Sequence, residues 1–304
     1  MVLLMAVSLS FAQMKNVKEA KSIASDVKPN FNQAEKLINE AIKNPETKDL
    51  PDTWDVAGFI QKRFIEEERD KKGVLKQPFD TLKAYNSILK MFEYYTKCDD
   101  LAQVPNEKGK IKPKYTKDIK SILSADHVYY FNGGAYYFDQ KDYKKAYDFF
   151  NQYLEISELP MFEGTQTAEK DSTFMTVQFY AAVAATQLGD SPTAIKALSR
   201  AKDTDFRQND VYQYLAYEYQ QAGDSVNHIK TLEEGLVKFP NEDFYLMSLI
   251  DTYVRSGQNE KAIENLTTAI AKNPENGQLY HVMGIVYETG LKDYAKAEEF
   301  FKKA

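Results

Sequence analysis

Cysteine and histidine are scarce in this chain, and their scarcity excludes several kinds of site. Among the 304 residues there is one cysteine, Cys98, and there are three histidines, His127, His228 and His281. A single cysteine forms no intrachain disulfide, so the fold must depend on packing, and we expect Cys98 to be a half-buried helix residue. The histidines stand in separate segments, none with a second ligand at zinc-binding spacing. No metal site is therefore expected.

Motifs that carry phosphate-binding or nucleophilic chemistry are also missing. The sequence contains no Walker or dinucleotide-binding glycine pattern and no nucleophile elbow. Carboxylate pairs such as Glu233 and Glu234 lie on predicted solvent faces of helices. We therefore expect no cofactor and no catalytic activity.

Long apolar runs and an excess of basic charge are missing as well. No segment reaches the roughly 20 apolar residues that a membrane-spanning helix requires. The first twelve residues form an uncharged apolar run that ends Ser10-Phe11-Ala12, with small residues at the cleavage positions. This run predicts a signal peptide removed after Ala12, and hence a periplasmic or secreted protein. The net charge of −6 disfavours nucleic acid as a partner, because phosphate contacts supply most of that binding energy.

What the chain does contain is a repeat. Gly189, Gly223 and Gly257 are spaced 34 residues apart, and each separates two segments with helical apolar spacing. Alternating strand patterns are missing, so we expect an all-α chain. A repeat of two short helices cannot bury its own apolar face, and it must stack on its neighbours into a solenoid.

The same register recurs in five copies. Their boundaries are His127 to Pro160, Met175 to Gln208, Asn209 to Glu242, Asp243 to Asn276, and a last copy that opens at Tyr280. A spacer near Glu163 to Asp171 interrupts the array after the first copy, and one extra residue stands in the turn of the last.

The copies resemble tetratricopeptide repeats. The pattern of that family is aromatic-x-x-Leu-Gly-x-x-Tyr, then Ala-x-x-x-Phe, then Pro. The first copy matches it with Tyr130, Gly134, Tyr137, Ala146, Phe150 and Tyr153, and the last with Tyr280, Met283, Gly284, Tyr287, Ala297 and Phe301. The resemblance implies an all-α, right-handed superhelical solenoid of stacked helix-turn-helix repeats that binds protein partners.

The resemblance also organises the whole chain. After the signal peptide at 1–12, residues 13–104 are interpreted as degenerate helical repeats of the same kind, and residues 105–126 as a lysine-rich linker with a short helix at Tyr115 to Ala125. Residues 127–304 hold the five repeats. Because the chain stops within a second helix, we expect the last repeat to be truncated at Ala304 and the natural protein to continue.

In this family, five positions of each first helix line the concave surface of the solenoid. Carried over by register, the resemblance implies a binding groove that includes Phe131, Phe138, Phe179, Gln213, Tyr217, Gln220, Met247, Asp251, Arg255 and His281. The lining has no lysine or asparagine at the fifth and ninth positions, so it departs from members that clamp a C-terminal carboxylate. An equally weighted alternative is that Phe131, Phe138 and Phe179 pack on neighbouring repeats.

A lysine-rich segment forms a second candidate site. Residues 108–120 carry six lysines against one aspartate, and Lys110, Lys112 and Lys114 are the candidate anion-binding residues. The alternative is a solvated linker, which we favour.

The sequence thus predicts a non-catalytic scaffold or adaptor of the bacterial cell envelope that binds partner proteins in its concave groove. Two alternatives stay open: a regulatory or localising region of a longer envelope enzyme, and a solenoid that binds envelope glycan or lipid. The identity of the protein partner is not indicated.

Overall fold

The computed structural model describes residues 14–105, 108–111 and 114–304. The predicted signal peptide, residues 1–12, lies outside the described residues. Fourteen α-helices make up the regular structure of the described part, together with short 3₁₀ and π turns, and no strand occurs there. The all-α class and the sequential helix pairs predicted from the repeat are confirmed. The chain divides into two compact units, residues 1–177 and 178–304.

The N-terminal unit contains the longer helices. They are α1 (residues 14–24), α2 (Phe31–Lys43), α3 (Pro51–Asp70), α4 (Thr81–Ala102), α5 (Thr116–Asp139) and α6 (Tyr143–Glu158). α7 (Ser172–Gln187) begins in this unit and ends in the next. A π turn, Lys71–Leu75, follows α3, and 3₁₀ turns at Pro160–Phe162 and Gln166–Ala168 precede α7.

The C-terminal unit contains helices of more even length. They are α8 (Ser191–Ala201), α9 (Gln208–Gln221), α10 (Ser225–Lys238), α11 (Asp243–Arg255), α12 (Asn259–Lys272), α13 (Gly277–Ile285) and α14 (Tyr294–Lys303). Apolar side chains of α9 to α13 form one core, which includes Leu232, Tyr245, Leu249, Leu266 and Met283.

Glycine ends the first helix of each regular pair. Gly189, Gly223 and Gly257 have φ angles of 70°, 71° and 73°, a left-handed conformation that costs glycine no Cβ clash. Lys141 and Lys292 adopt the same left-handed conformation at the turns of two other helix pairs. The glycines identified in the sequence therefore mark turns. A residue with a side chain can also adopt the left-handed conformation of these turns.

An aspartate begins several of the second helices. Asp224 accepts a hydrogen bond from the backbone N–H of Asn227 at 3.0 Å, and Asp142 and Asp293 cap α6 and α14 in the same way. Such a cap satisfies a backbone donor at the helix start that has no partner within the helix.

The extra residue of the last repeat is absorbed by a π turn. Val286–Leu291 continues α13 in π geometry, and the N–H of Asp293 then bonds to the carbonyl of Tyr287 at 2.9 Å. A π turn accommodates one additional residue in a helical segment, so α14 keeps its place against α13.

The predicted short helix at Tyr115 to Ala125 needs correction. α5 runs without a break from Thr116 to Asp139, so the predicted boundary between residues 126 and 127 lies inside one helix. Asp126 does not end the helix because its carboxylate accepts a hydrogen bond from Arg69 of α3 at 2.8 Å and is buried there. A buried, paired aspartate is compatible with a helix interior.

Candidate functional site

A groove in the C-terminal unit is formed by one face each of α7, α9 and α11. Its volume is about 710 Å³. On α9 and α11 the lining residues follow helical i, i+3, i+4, i+7 spacing, which places them on a single face. They are Thr186 and Gln187 of α7, Asp210, Gln213, Tyr214, Ala216, Tyr217 and Gln220 of α9, His228 of α10, and Phe244, Met247, Ser248, Asp251 and Thr252 of α11.

Aromatic and sulfur-containing side chains form the apolar part of the groove. Tyr217 is 51 % exposed, and Tyr214 and Phe244 are exposed to a lesser extent. Met247 is half-buried and packs on the core of the unit. Large apolar side chains that stay accessible on a folded surface are typical of interaction sites.

A buried histidine supports the floor of the groove. The Nδ1 of His228 lies 2.8 Å from the carbonyl oxygen of Ala216, and its Nε2 lies 3.1 Å from Oγ1 of Thr252. Because a carbonyl only accepts, Nδ1 carries the proton and donates it to Ala216. The imidazole thus joins α10 to both α9 and α11, and it holds the two walls of the groove in a fixed relation. The other repeats have alanine at this position, as in Ala194 and Ala262.

Two carboxylates in the groove each have an arginine beside them. Asp210 pairs with Arg207, and Asp251 pairs with Arg255 at 2.8 to 2.9 Å. The remaining polar lining consists of uncharged amides and hydroxyls, apart from His228. This arrangement can bind and orient a ligand.

Five of the residues predicted for the concave surface lie together in this groove: Gln213, Tyr217, Gln220, Met247 and Asp251. Arg255 lies at the margin, bound to Asp251. His281 is exposed on α13, with its ring 5.4 Å from that of Phe301. Tyr214 and His228 line the groove although the register does not include them, and the only sequence signal for His228 is that histidine replaces a repeated alanine.

The three predicted phenylalanines have different surroundings. Phe179 is only 4 % exposed and packs edge-on against Phe206, with Arg207 over its ring. Its assignment to the binding surface is therefore corrected, because the ring is enclosed by α8–α9 connection residues. Phe138 is half-buried against Tyr143. Phe131 is half-buried and lines a separate cavity in the N-terminal unit.

That second cavity has a volume of about 480 Å³ and is bounded by α5 and the segment before α7. The hydroxyls of Ser124 and Thr167 are 3.1 Å apart, which ties this segment to α5. His127 stacks on Tyr153 with ring centroids 3.8 Å apart, and burial lowers the pKa of its imidazole. The residues that the sequence indicated only as a spacer therefore form one wall of a cavity.

The lysine-rich segment is partly engaged in contacts within the protein. Lys114 Nζ lies 3.0 Å from Asp52 Oδ1 and 2.9 Å from the hydroxyl of Tyr115. These hydrogen bonds raise the pKa of Lys114, and the hydrogen bond from Tyr115 lowers that of Asp52. Lys110 is exposed, and Lys112 lies outside the described residues. Lys114 thus fastens the segment to α3.

Within residues 14–105, 108–111 and 114–304, no three His, Cys, Asp or Glu side chains are grouped so that they could hold a metal ion. In the same part of the chain, no helix combines the length and the apolar character that a membrane span requires.

A comparison with protein families matches residues 247–304 to the tetratricopeptide-repeat model. This segment contains most of α11 and all of α12 to α14. Residues 247–304 are therefore tetratricopeptide-repeat sequence. Members of this repeat family use extended concave surfaces for binding, and they generally act as scaffolds for protein–protein interaction.

Among curated proteins, the chain is similar to the TPR repeat-containing protein YpiA of Bacillus subtilis (strain 168). The two are 25 % identical over 310 residues, which cover 92 % of this chain and 70 % of YpiA.

Among solved structures, it is similar to a crystal structure of MamA protein, with 18 % identity and a TM-score of 0.44, over 59 % of this chain and 90 % of that chain. A second MamA structure, from AMB-1, has 18 % identity and a TM-score of 0.38 over the same shares.

Proposed function

We propose that this tetratricopeptide-repeat protein is a non-catalytic scaffold of the bacterial cell envelope, and that it holds a segment of a partner protein in the groove between α9 and α11. The observation that carries the proposal is the groove itself. Accessible aromatic side chains from two first helices face one channel, above a floor that His228 holds in place.

The size and the lining of the groove fit a peptide segment. A channel of about 710 Å³ with half-exposed Tyr217 and Tyr214 offers pockets for a few apolar anchors. Aromatic residues at the centre of an interface commonly contribute most of the binding energy. The amides of Gln213 and Gln220 lie beside them and can bind the backbone of an extended or helical segment.

Substitution of Tyr217 by aspartate tests the groove. The full chain is screened against a displayed library of random peptides, and the affinity of the best peptide is then measured by fluorescence anisotropy. Because Tyr217 is exposed, Tyr217→Asp keeps the fold and removes an apolar anchor, so we expect binding to weaken by at least about tenfold. Met247→Asp is expected to weaken it as well.

The matched control is Val237→Asp, which places the same charge on an apolar residue of α10 that is 84 % exposed and lies outside the groove. It should bind like the parent chain. Circular dichroism of all three variants checks that helicity is retained. Equal binding by Tyr217→Asp and the parent chain would reject the groove assignment.

The envelope location rests on residues 1–12 alone. An uncharged apolar run with small residues before Gln13 is typical of a cleaved export signal. When the full chain is expressed in a bacterium, we expect the protein outside the cytoplasm with Gln13 as its first residue. N-terminal sequencing of the fractionated protein measures this, and a cytoplasmic product that keeps Met1 would contradict it.

A further inference from the structure

The charges that line the groove have one sign. The acidic residues of its lining are Asp210 and Asp251, and within the described residues neither lysine nor arginine lines it. His228 has both ring nitrogens engaged by Ala216 and Thr252 and is buried. The charged groups that a ligand in the groove contacts are therefore carboxylates.

The two arginines beside these carboxylates differ in the number of contacts that fix their side chains. Arg207 pairs with Asp210, and its guanidinium also lies 5.0 Å from the ring centroid of Phe179. Arg255 contacts Asp251 across one helical turn, and the two side chains are 76 % and 52 % exposed. Ion pairs this exposed contribute little to stability, since water and salt screen them. An incoming cation can therefore replace Arg255 at Asp251 more easily than it can replace Arg207 at Asp210.

The aromatic side chains of the groove favour the same kind of ligand. Tyr214, Tyr217 and Phe244 belong to the same lining as the two carboxylates. The face of an aromatic ring attracts an ammonium or guanidinium group, and the ring also packs against an apolar neighbour. Carboxylates and aromatic rings in one channel complement a basic residue next to an apolar one.

We propose that the groove selects partner segments in which a lysine or arginine stands next to a large apolar residue, with the cation at Asp251 and the apolar side chain against Tyr217. This inference rests on the proposed peptide-binding function and assigns the chemistry of its ligand. Arg255 then acts as an internal competitor that occupies Asp251 when the groove is empty.

The test uses the full chain and the best peptide from the random library. Lysine or arginine should be enriched beside leucine, phenylalanine or tyrosine among the selected peptides. Asp251→Asn should weaken binding by about fivefold, and Arg255→Gln should strengthen it by about twofold to threefold, because the substitution frees the carboxylate. Raising the salt concentration should weaken binding to the parent chain more than to Asp251→Asn.

Two controls have the same change in net charge. Glu260→Gln on α12 matches Asp251→Asn, and Lys230→Gln on α10 matches Arg255→Gln; both residues are exposed and lie outside the groove. Neither should change the affinity beyond error. Selected peptides that are acidic or neutral and bind Asp251→Asn as tightly as the parent chain would overturn the inference while the groove function stands. Failure of Tyr217→Asp to reduce binding would overturn both.

Discussion

Substitution of Gly235 by alanine is expected to destabilise the C-terminal unit by roughly 2–3 kcal/mol, because a buried aromatic ring occupies the space of the added methyl group. A Cβ at this position would lie 2.1 Å from Cε1 and 2.3 Å from Cδ1 of Tyr245. That ring is fully buried, stacks on Phe239, and donates its hydroxyl to Asn209. It cannot move without losing these contacts, and the better helix propensity of alanine, about 1 kcal/mol, offsets only part of the cost.

Hydrogen–deuterium exchange of peptides from α9 to α11 measures this effect, because it reports on one unit independently of the other. Gly257→Ala is the matched control. No atom lies within 4 Å of its added Cβ, but its φ of 73° strains alanine, so the loss should be only about 1 kcal/mol. Equal protection in Gly235→Ala and in the parent chain would show that the contact with Tyr245 is not tight.

Alkylation of Cys98 is expected to be about a thousandfold slower in the folded chain than in the unfolded one, because burial disfavours the reactive thiolate. The side chain is completely buried, and desolvation together with the carboxylates of Asp55 and Asp99 raises the pKa of the thiol to about 12. The sequence predicted only a half-buried residue. Because Cys98 is the only cysteine, the rate measured by mass spectrometry belongs to one site.

The controls for this rate are the parent chain in guanidinium chloride and a Val237→Cys variant, whose added thiol is on an exposed position of α10. Both thiols should react rapidly. A folded-state rate for Cys98 equal to that in denaturant would contradict the burial.

The same pKa shift has a consequence for stability at high pH. Since the pKa of Cys98 is higher in the folded chain, the unfolded chain loses its thiol proton first as the pH rises above the ordinary thiol value. The contribution of Cys98 to stability is therefore fully present below that value and declines as the pH rises towards 12.

Repeat spacing allowed much of the fold to be predicted. Left-handed glycines occur at Gly189, Gly223 and Gly257, as the 34-residue period requires, because only a residue without a Cβ adopts this turn at no cost. Lys141 and Lys292 adopt it as well, which propensity alone does not predict.

Errors arose where a distant residue determined the local structure. α5 continues through Asp126 because Arg69, far away in sequence, neutralises it. Phe179 matches a surface position in the register, but Phe206 and Arg207 from the next connection enclose it. Short-range patterns contain no information about these partners.

The sequence by itself determined the helical class, the pairing of helices and the face of each first helix that belongs to the concave surface. These features depend on periods of 3.6 and 34 residues, which are visible in the spacing of apolar residues along the chain. Only the tertiary structure decided which residues of that concave face stay exposed to solvent. Tyr217 and Met247 line an open channel while Phe179 is buried, because exposure depends on how neighbouring helices pack, and that packing is a property of the whole unit.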